Sequence, residues 1–425
     1  MAKLALCGGK PVRADPFPRY VTIGEEEKRA VMEVLDTGVL SGYLGTWSPQ
    51  FYGGPRVRKL EREWEEYFGV RHAVSVNSAT SGLYAAVGAA GVSPGDEVIV
   101  SPYTMTASAT GALMYNAVPV FADIDPETFC ITPETIRQVL SPRTKAIITV
   151  DLFGHPADFD GIMALAAEHN LVVIEDAAQA PGAQYHGRFA GTLAHIGVFS
   201  LNCHKTIQCG EGGVVVTNDD RFAERLQLIR NHGEVVVGNK GVDDISNLIG
   251  FNYRMTEVEA AIASEQLKKL ERLLLPRIEA ADFLRDRLKH LRGITPPVVR
   301  DCVRHGYYEF AIRYDAQALG VHRDRFVEAL NAEGIPMYKG YMKPIYLEPM
   351  YQSRTGYGAN GCPFTPPYYE GNVNYEKGIC PVTERMYLEE LMFTDLVHAS
   401  LAAKDLEDVV TGIDKVLEHT HELQD

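Results

Sequence analysis

Lys205 lies on a predicted turn between the strand-like segment Ile196–Leu201 and the glycine-rich segment Gly210–Gly213. A lysine that forms a Schiff base with a carbonyl compound needs a neutral amine, and burial or a neighbouring cation such as His204 favours that form. An isolated lysine is usually a solvated surface residue. This one stands in a mostly uncharged stretch beside glycines, which let backbone approach closely. Lys205 is therefore the first candidate for covalent chemistry.

A carboxylate, Asp176, ends the apolar segment Leu171–Asp176, and Gln179 follows shortly after it. The carboxyl end of a buried parallel strand is the edge at which open α/β sheets bind ligands. A buried carboxylate there raises the pKa of a cofactor's pyridine nitrogen by charge pairing, which keeps the ring an electron sink. Gln179 is placed to bond the phenolic oxygen of the same ring. The alternative is that Asp176 only caps the helix that follows it.

Small hydroxyl residues occur at a predicted strand-to-helix turn, in the segment Asn77–Gly82. Backbone amides at a helix N-terminus bind phosphate because they point outwards at the positive end of the helix dipole. Ala79, Thr80 and Ser81 are therefore the phosphate-binding candidates. The alternative is that these residues form an ordinary helix cap without a ligand.

An alternation of β-branched segments and helical segments extends from His72 to Asn218 and predicts strands joined by crossover helices. Several of the strands are too apolar to have a solvated face, so they should form one large, mostly parallel sheet covered by helices. The predicted strands are His72–Ser78, Glu97–Tyr103, Val118–Asp125, Ala146–Phe153, Leu171–Asp176, Ile196–Leu201 and Gly213–Thr217. The predicted helices between them are Ser81–Gly91, Ala107–Tyr115, Pro133–Leu140 and Phe159–His169.

The long helical region Thr256–Leu291 should be broken or kinked at Pro276, because proline lacks the amide donor and clashes with the preceding turn. We place the boundary between two domains there, a large domain over 1–275 and a smaller α+β domain over 276–425. The smaller domain has the predicted elements Tyr307–Tyr314, Arg323–Glu333 and Ala403–Leu423. Its segment Tyr338–Tyr375 predicts a long ordered loop whose aromatic residues pack or line a cleft.

The net charge of −15 over 425 residues argues against binding to nucleic acid or to an anionic membrane, because phosphate contacts need clustered Lys and Arg. No targeting segment or membrane span is evident, so we expect a cytoplasmic protein. The seven cysteines are scattered and include no CxxC pair, which predicts reduced thiols and no metal site. Small-molecule chemistry is the expected function.

The candidate motifs together resemble the DegT/DnrJ/EryC1/StrS family of sugar and cyclitol aminotransferases, within the fold-type-I pyridoxal-phosphate enzymes. The resemblance covers nearly the whole chain. The motifs that carry it are Asn77–Leu83, Gly95–Val100, Glu175–Gln179, Phe199-Ser200, Lys205, Gly210–Gly213 and Gly250–Met255. It implies an α/β fold with a large, mostly parallel sheet, a smaller C-terminal domain, and pyridoxal 5′-phosphate as the cofactor.

The resemblance also implies a role for each matching residue. Lys205 resembles the lysine that holds the cofactor, Asp176 the partner of the pyridine nitrogen, and Gln179 the contact to the cofactor hydroxyl. The phosphate ligands of the family correspond to Thr80, Ser81 and Ser200. Its Gly-x-Asn-x-Arg-Met motif reaches the phosphate from the neighbouring subunit, so Asn252 would complete a site shared across an obligate homodimer.

One position departs from the family pattern. Relatives usually stack an aromatic ring on the cofactor in the loop after the second strand, where this chain has Met105. A thioether can cover an aromatic face. Two alternatives are that Tyr103 swings in instead, or that Met105 fills a gap in the core.

Three other functions are alternatives to transamination, and the sequence disfavours each of them. A related sugar dehydratase has a histidine in place of the lysine, and His204 is adjacent, but Lys205 stands five residues after Ser200 and five before Gly210, as in the aminotransferases. A non-catalytic regulator that keeps the fold is expected to lose the lysine or the aspartate. An NAD enzyme is disfavoured because no GxGxxG motif opens a helix.

The resemblance implies glutamate or glutamine as amino donor and a keto sugar or ketocyclitol as acceptor, in aminosugar, aminocyclitol or antibiotic biosynthesis. The segments Leu4–Val12, Cys380–Arg385 and Val397–Ala399 resemble the cyclitol branch and favour a substrate like scyllo-inosose. The alternatives are that these segments are shared packing elements, or that the substrate is a nucleotide-linked keto sugar. For a cyclitol, the candidate hydroxyl partners are Tyr43, His204 and His398.

Overall fold

The computed structural model describes residues 3–424 of the chain. Its strands are β1 (His72–Val76), β2 (Glu97–Val100), β3 (Val118–Phe121), β4 (Thr144–Val150), β5 (Val172–Asp176), β6 (Gln184–Tyr185), β7 (Arg188–Phe189), β8 (Ile196–Ser200), β9 (Gly213–Thr217), β10 (Ile294–Thr295), β11 (Val303–Arg304), β12 (Phe310–Tyr314), β13 (Tyr338–Lys339) and β14 (Leu391–Thr394). Its α-helices are α1 (Glu25–Thr37), α2 (Pro55–Phe68), α3 (Ala79–Ala89), α4 (Ala107–Leu113), α5 (Pro133–Val139), α6 (Phe159–His169), α7 (Asp220–Arg230), α8 (Val237–Lys240), α9 (Glu257–Leu288), α10 (Ala316–Leu319), α11 (Arg323–Ala332), α12 (Pro349–Gln352), α13 (Pro381–Arg385) and α14 (Ala403–Glu418).

A seven-stranded sheet in the order β1-β9-β8-β5-β4-β2-β3 forms the centre of the molecule. The predicted mostly parallel sheet is confirmed, and β9 is its one antiparallel strand, opposed to both β1 and β8. The chain enters β9 from β8 through the loop 201–212 instead of a crossover helix. Parallel neighbours need such a crossover, so a loop without a helix returns the chain in the opposite direction.

Both faces of this sheet are buried, as its runs of Val and Ile require. Ile148, Ile174 and Val198 point into one hydrophobic cluster together with residues of α3 and α4. Their neighbours along the strands, such as Ile147 and Val173, point into a second cluster that includes residues of α6. The sheet is therefore a rigid layer between two cores, and its strand ends can hold side chains in fixed positions.

A smaller antiparallel sheet, in the order β10-β12-β14-β13, lies in the C-terminal part of the chain. Its residues Phe310, Ile312 and Met392 share a hydrophobic cluster with α11 and α14, and Leu4 near the N-terminus joins the same cluster. The strand β6 pairs with β7 and β11 in a third sheet of three strands. The predicted α/β architecture with an additional α+β unit is thereby confirmed.

Helix α9 continues through Pro276, so the predicted break at this proline is wrong, and the kink given as the other possibility remains a prediction. Buried residues line the helix on both sides of the proline: Leu270 lies in a cluster with α2, and Leu284 lies in the C-terminal cluster. This burial, with a capping box at Thr256, offsets the backbone hydrogen bond that proline removes. The domain boundary at 275/276 remains a prediction.

The segment Tyr338–Tyr375 is a loop with only short elements, as predicted, and most of its aromatic residues pack. Tyr346, Tyr351 and Tyr375 are buried in the cluster above the central sheet. The Tyr375 hydroxyl also donates to the carbonyl oxygen of Pro119 at 2.6 Å. Within residues 3–424, no helix has both the length and the apolar character that crossing a membrane would require.

Candidate functional site

The candidate residues meet at one edge of the central sheet. β1, β5 and β8 run in the same direction, so Ser78, Asp176 and Ser200 all stand at or just beyond their carboxyl ends. The loop that carries Lys205 leaves from the same edge and returns to it at Gly213. The sheet thus brings together residues that are more than a hundred positions apart in the sequence.

Asp176 is buried and accepts two hydrogen bonds. The Ser108 hydroxyl donates to its Oδ2 atom at 2.8 Å, and the amide of Ala178 donates to its Oδ1 atom at 3.2 Å. Burial raises the pKa of Asp176, whereas Ser108, the Ala178 amide and the charge of Lys205 lower it. The alternative that Asp176 caps a helix is wrong, because a turn and then β6 follow it.

Lys205 is half-buried, and its Nζ atom lies 4.4 Å from the centre of the Tyr308 ring. Burial lowers the pKa of this amine, and the nearby carboxyl groups of Asp176 and Glu309 act in the opposite direction. His204 is exposed and is not among the causes of the shift. Desolvation is therefore the effect that favours a neutral amine at this position.

Gln179 is buried on the turn after Asp176, and both ends of its amide are bonded. Its Oε1 atom accepts from the amide of Phe153 at 2.7 Å, and its Nε2 atom donates to the hydroxyl of Tyr341 at 2.7 Å. These bonds hold the Gln179 side chain between the large sheet and the loop after β13. Its contact with a cofactor hydroxyl remains a prediction.

The start of α3 has the form expected of a helix N-terminus, with Ser78 as the capping residue. The Ser78 Oγ atom accepts from the amide of Ser81 at 3.1 Å, and the Ser81 hydroxyl donates to Asn77 Oδ1 at 2.6 Å. Ser81 is thus bonded within the turn. A helix leaves the first amides without partners in its own turns, here those of Ala79 and Thr80.

Gly213 and Ser200 bring β9 and β8 against this turn. A Cβ atom on Gly213 would lie 2.7 Å from the backbone nitrogen of Ala79, so only glycine permits this approach. Ser200 is buried opposite Gly213, and its hydroxyl oxygen accepts from the amide of Asn202 at 3.3 Å. The predicted phosphate residues Ala79, Thr80, Ser81 and Ser200 therefore lie around one turn.

Asn252 is also adjacent to this turn through its main chain. Its carbonyl oxygen accepts from the Nδ2 atom of Asn77 at 3.3 Å, and the residue itself is exposed. The structure thus holds the backbone of Asn252 beside the turn of its own chain. The predicted action of its side chain in a neighbouring subunit remains a prediction.

Met105 and Tyr103 have different environments in the loop after β2. Met105 is 53% exposed, so the alternative that it fills the core is wrong for this chain. Tyr103 is fully buried, and its hydroxyl donates to the carbonyl oxygen of Gly340 at 2.7 Å. To cover the cofactor, Tyr103 would have to break this bond and leave a packed position, so the structure disfavours this alternative.

A cavity of about 850 Å³ lies next to the Lys205 loop. The predicted hydroxyl partners His204 and His398 line it, as does Tyr338 of the predicted aromatic loop. Residues that the sequence did not indicate also line it: Tyr20, Cys203, Arg277, Tyr308, Glu309 and Asp395. Most of the latter come from the C-terminal part of the chain, far from the motifs. A glutamate among aromatic residues before an apolar strand, as in Tyr307–Phe310, was the only signal available.

Tyr43 is separate from this cavity. Its side chain is buried in a cluster with Leu60 and Trp64, and the Arg230 guanidinium lies 5.1 Å from its ring centre. Burial raises its pKa to about 12. Within one chain, Tyr43 is therefore a packing residue and does not line the cavity that holds His204 and His398.

The donor set at this edge fits pyridoxal phosphate. A half-buried amine, a buried carboxylate and an open helix N-terminus are the three groups that the cofactor's aldehyde, ring nitrogen and phosphate require. Because Gly213 has no Cβ, its backbone can lie directly against that N-terminus. Lys205, Asp176 and the Ala79–Ser81 turn would hold the respective groups.

Comparisons with known proteins agree with this arrangement. Residues 21–375 match the DegT/DnrJ/EryC1/StrS aminotransferase family. The chain is 34% identical to L-glutamine:2-deoxy-scyllo-inosose aminotransferase of Streptomyces fradiae, over 100% of this chain and 99% of that protein. It is 33% identical to GDP-perosamine synthase of Caulobacter vibrioides, over 92% of this chain and 95% of that protein.

Solved structures show the same fold. The X-ray structure of the aminotransferase from Psychrobacter cryohalolentis superposes with a TM-score of 0.81 at 32% identity, covering 96% of this chain and 100% of that chain. The predicted fold-type-I architecture is confirmed by this similarity.

Proposed function

The chain belongs to the DegT/DnrJ/EryC1/StrS aminotransferase family, and we propose that it moves an amino group from glutamate or glutamine to a free keto sugar or ketocyclitol like scyllo-inosose. The enzymes of this family use pyridoxal phosphate. The observation that carries the proposal is the position of Lys205, a desolvated amine between the buried Asp176 and the cavity lined by His204 and His398.

Bound pyridoxal phosphate would supply an electron sink for the carbon from which a proton is removed. Lys205 would take up that proton as a neutral amine and return it as an acid, which its lowered pKa favours at neutral pH. Asp176 would keep the ring nitrogen protonated, and Ser108 would hold the carboxylate in its ionised form. Ala79 and Thr80 would fix the phosphate with their amides, and Thr80 would also donate to it with its hydroxyl group.

The preference for a free ring over a nucleotide-linked one rests on the cavity and on the chain ends. Arg277, a buried cation of the cavity, already donates to the carbonyl oxygens of Tyr307 and Tyr308, at 2.9 and 3.2 Å. A diphosphate needs cations that are free to bind it, and among residues 3–424 the cavity offers the exposed Arg19 and this partly engaged arginine. The similarity to the Streptomyces fradiae enzyme also extends over both chain ends, where the segments Leu4–Val12 and Val397–Ala399 favour a cyclitol.

A second candidate is a nucleotide-linked keto sugar, which the similarity to GDP-perosamine synthase favours. The two classes differ in one experiment. The enzyme is loaded with pyridoxamine phosphate, and its return to the aldehyde form is followed by absorbance after addition of either ketone class. Rapid turnover of scyllo-inosose or a free keto sugar is expected. Turnover of a nucleotide-linked 4-keto sugar alone would overturn the substrate proposal and leave the aminotransferase intact.

A further inference from the structure

Glu309 lines the cavity beside Lys205 with a carboxyl group that lacks a partner. Its Oε2 atom is buried and has no hydrogen-bond donor within residues 3–424. An unsatisfied buried acceptor costs about 1–3 kcal/mol, so most buried polar atoms in native structures have a hydrogen-bond partner. Because Glu309 faces a cavity, a ligand can supply the missing donor.

The charged groups around Glu309 act on its carboxyl group electrostatically but form no hydrogen bond with it. Burial and the nearby Asp395 raise the pKa of Glu309, and the charges of Arg277 and Lys205 offset this only in part. The Nη1 atom of Arg277 is directed at the carbonyl oxygens of Tyr307 and Tyr308. None of these residues donates a hydrogen bond to the Glu309 carboxyl group, although groups of opposite charge lie close to it.

The chemistry of the missing partner is that of a neutral donor. A hydroxyl group donates to a carboxylate without bringing a second negative charge into a cavity that already contains Asp395. A phosphate ester or a carboxylate has no proton to donate at neutral pH, so it cannot supply the hydrogen bond that the Oε2 atom lacks. The site therefore favours a ring rich in hydroxyl groups over an anionic ligand.

We propose that Glu309 accepts hydrogen bonds from ring hydroxyl groups of the keto substrate and so selects a polyhydroxylated, uncharged ring. The inference rests on the proposed function and makes it more specific. The two half-reactions then differ in their need for this residue. The ketone half-reaction uses the hydroxyl contact, whereas the carboxylate of the amino donor gains nothing from Glu309.

The test measures each half-reaction separately, with glutamine as donor and scyllo-inosose as ketone. Glu309→Leu, which cannot accept a hydrogen bond, should lower kcat/KM for scyllo-inosose about 10- to 100-fold, mainly through KM. Glu309→Gln keeps one acceptor oxygen and should lose clearly less. Both variants should keep the glutamine half-reaction within about threefold of the unmodified enzyme, because no donor contact is removed.

Glu376→Gln is the matched control, since Glu376 is exposed and does not line this cavity. The inference is overturned if both half-reactions fall together, which would indicate that Glu309 acts through Lys205, or if neither falls. Should Glu309→Leu fail to fold, the same comparison is made with Glu309→Gln. If the unmodified enzyme aminates neither scyllo-inosose nor any free keto sugar, the proposed function itself has failed.

Discussion

The Ser108 hydroxyl group donates a hydrogen bond to the Oδ2 atom of Asp176, with 2.8 Å between the two oxygen atoms. Ser108 lies in α4, and Asp176 lies at the end of β5, so the bond joins two layers of the fold. It counteracts the rise in the Asp176 pKa that burial causes. The ionised form of Asp176, which a protonated ring nitrogen needs, therefore depends on a residue outside the recognised motifs.

Removing this bond should weaken cofactor binding. Ser108→Ala raises the pKa of Asp176, so less of its carboxylate is available to pair with the ring nitrogen. We expect the affinity for pyridoxal phosphate to fall about tenfold, measured by titrating cofactor-free protein and following absorbance. Thr110→Ala is the control, since the Thr110 hydroxyl bonds Tyr84 instead. Equal affinities for the Ser108 variant and the control would contradict this role.

The turn before α3 allows capping and phosphate binding to be separated. Ser78→Ala removes the cap and should lower the free energy of unfolding by about 1 kcal/mol, with a matching fall in melting temperature. Thr80→Ala leaves the cap intact and should lower phosphate-dependent cofactor affinity about tenfold with little change in the stability of cofactor-free protein. Loss of stability in the Thr80 variant, with unchanged cofactor affinity, would assign Thr80 to folding instead.

The shared site predicts complementation between two inactive variants. If Asn252 acts in the neighbouring subunit, a mixture of Lys205→Ala and Asn252→Ala chains forms heterodimers in which one site has both intact residues. After complete exchange of equal amounts, about a quarter of the original activity should return, because half of the dimers are mixed. No recovery after exchange has been demonstrated by mass spectrometry would mean that each site is made within one chain.

The carboxyl group of Glu309 should make stability depend on pH. Burial, with a smaller effect of Asp395, raises its pKa to about 8, while Arg277 and Lys205 oppose the shift. The folded-state pKa is therefore above the unfolded value. The stability that the neutral Glu309 carboxyl group contributes is fully present below about pH 4.5 and is lost as the pH rises towards 8.

Glu309→Gln removes this titration. In cofactor-free protein, the melting temperature of Glu309→Gln minus that of the original protein should increase from pH 5 to pH 8. Above pH 8 this difference should stay constant. Parallel melting curves across this range would show that Glu309 is ionised in the folded protein.

The sequence predicted the sheet well because its strands are buried on both faces and appear as continuous runs of Val and Ile. It did not predict that β9 is antiparallel, since that depends on the absence of a crossover helix in the Lys205 loop. The predicted break at Pro276 failed for a related reason: burial on both sides of the proline outweighs its local preference.

The site residues also differ in whether the local sequence could indicate them. Asp176 ends β5 and Lys205 lies in the loop after β8, so the sequence could place both residues at this edge of the sheet. Ser108, Tyr308 and Glu309 reach the site only through tertiary packing, and the sequence around them does not indicate which site they belong to. For Tyr43, the local sequence does not distinguish a side chain that lines a cavity from one that packs, as this residue does beside Arg230 within one chain.

The most direct test of the account is the identity of the lysine that binds the cofactor. Protein loaded with pyridoxal phosphate is reduced with borohydride, digested, and analysed by mass spectrometry, with Lys205→Ala as the control. We expect the phosphopyridoxyl group on the peptide that contains Lys205, and neither label nor turnover in the variant. A label on another lysine, with Lys205 unmodified and activity kept in Lys205→Ala, would contradict the account.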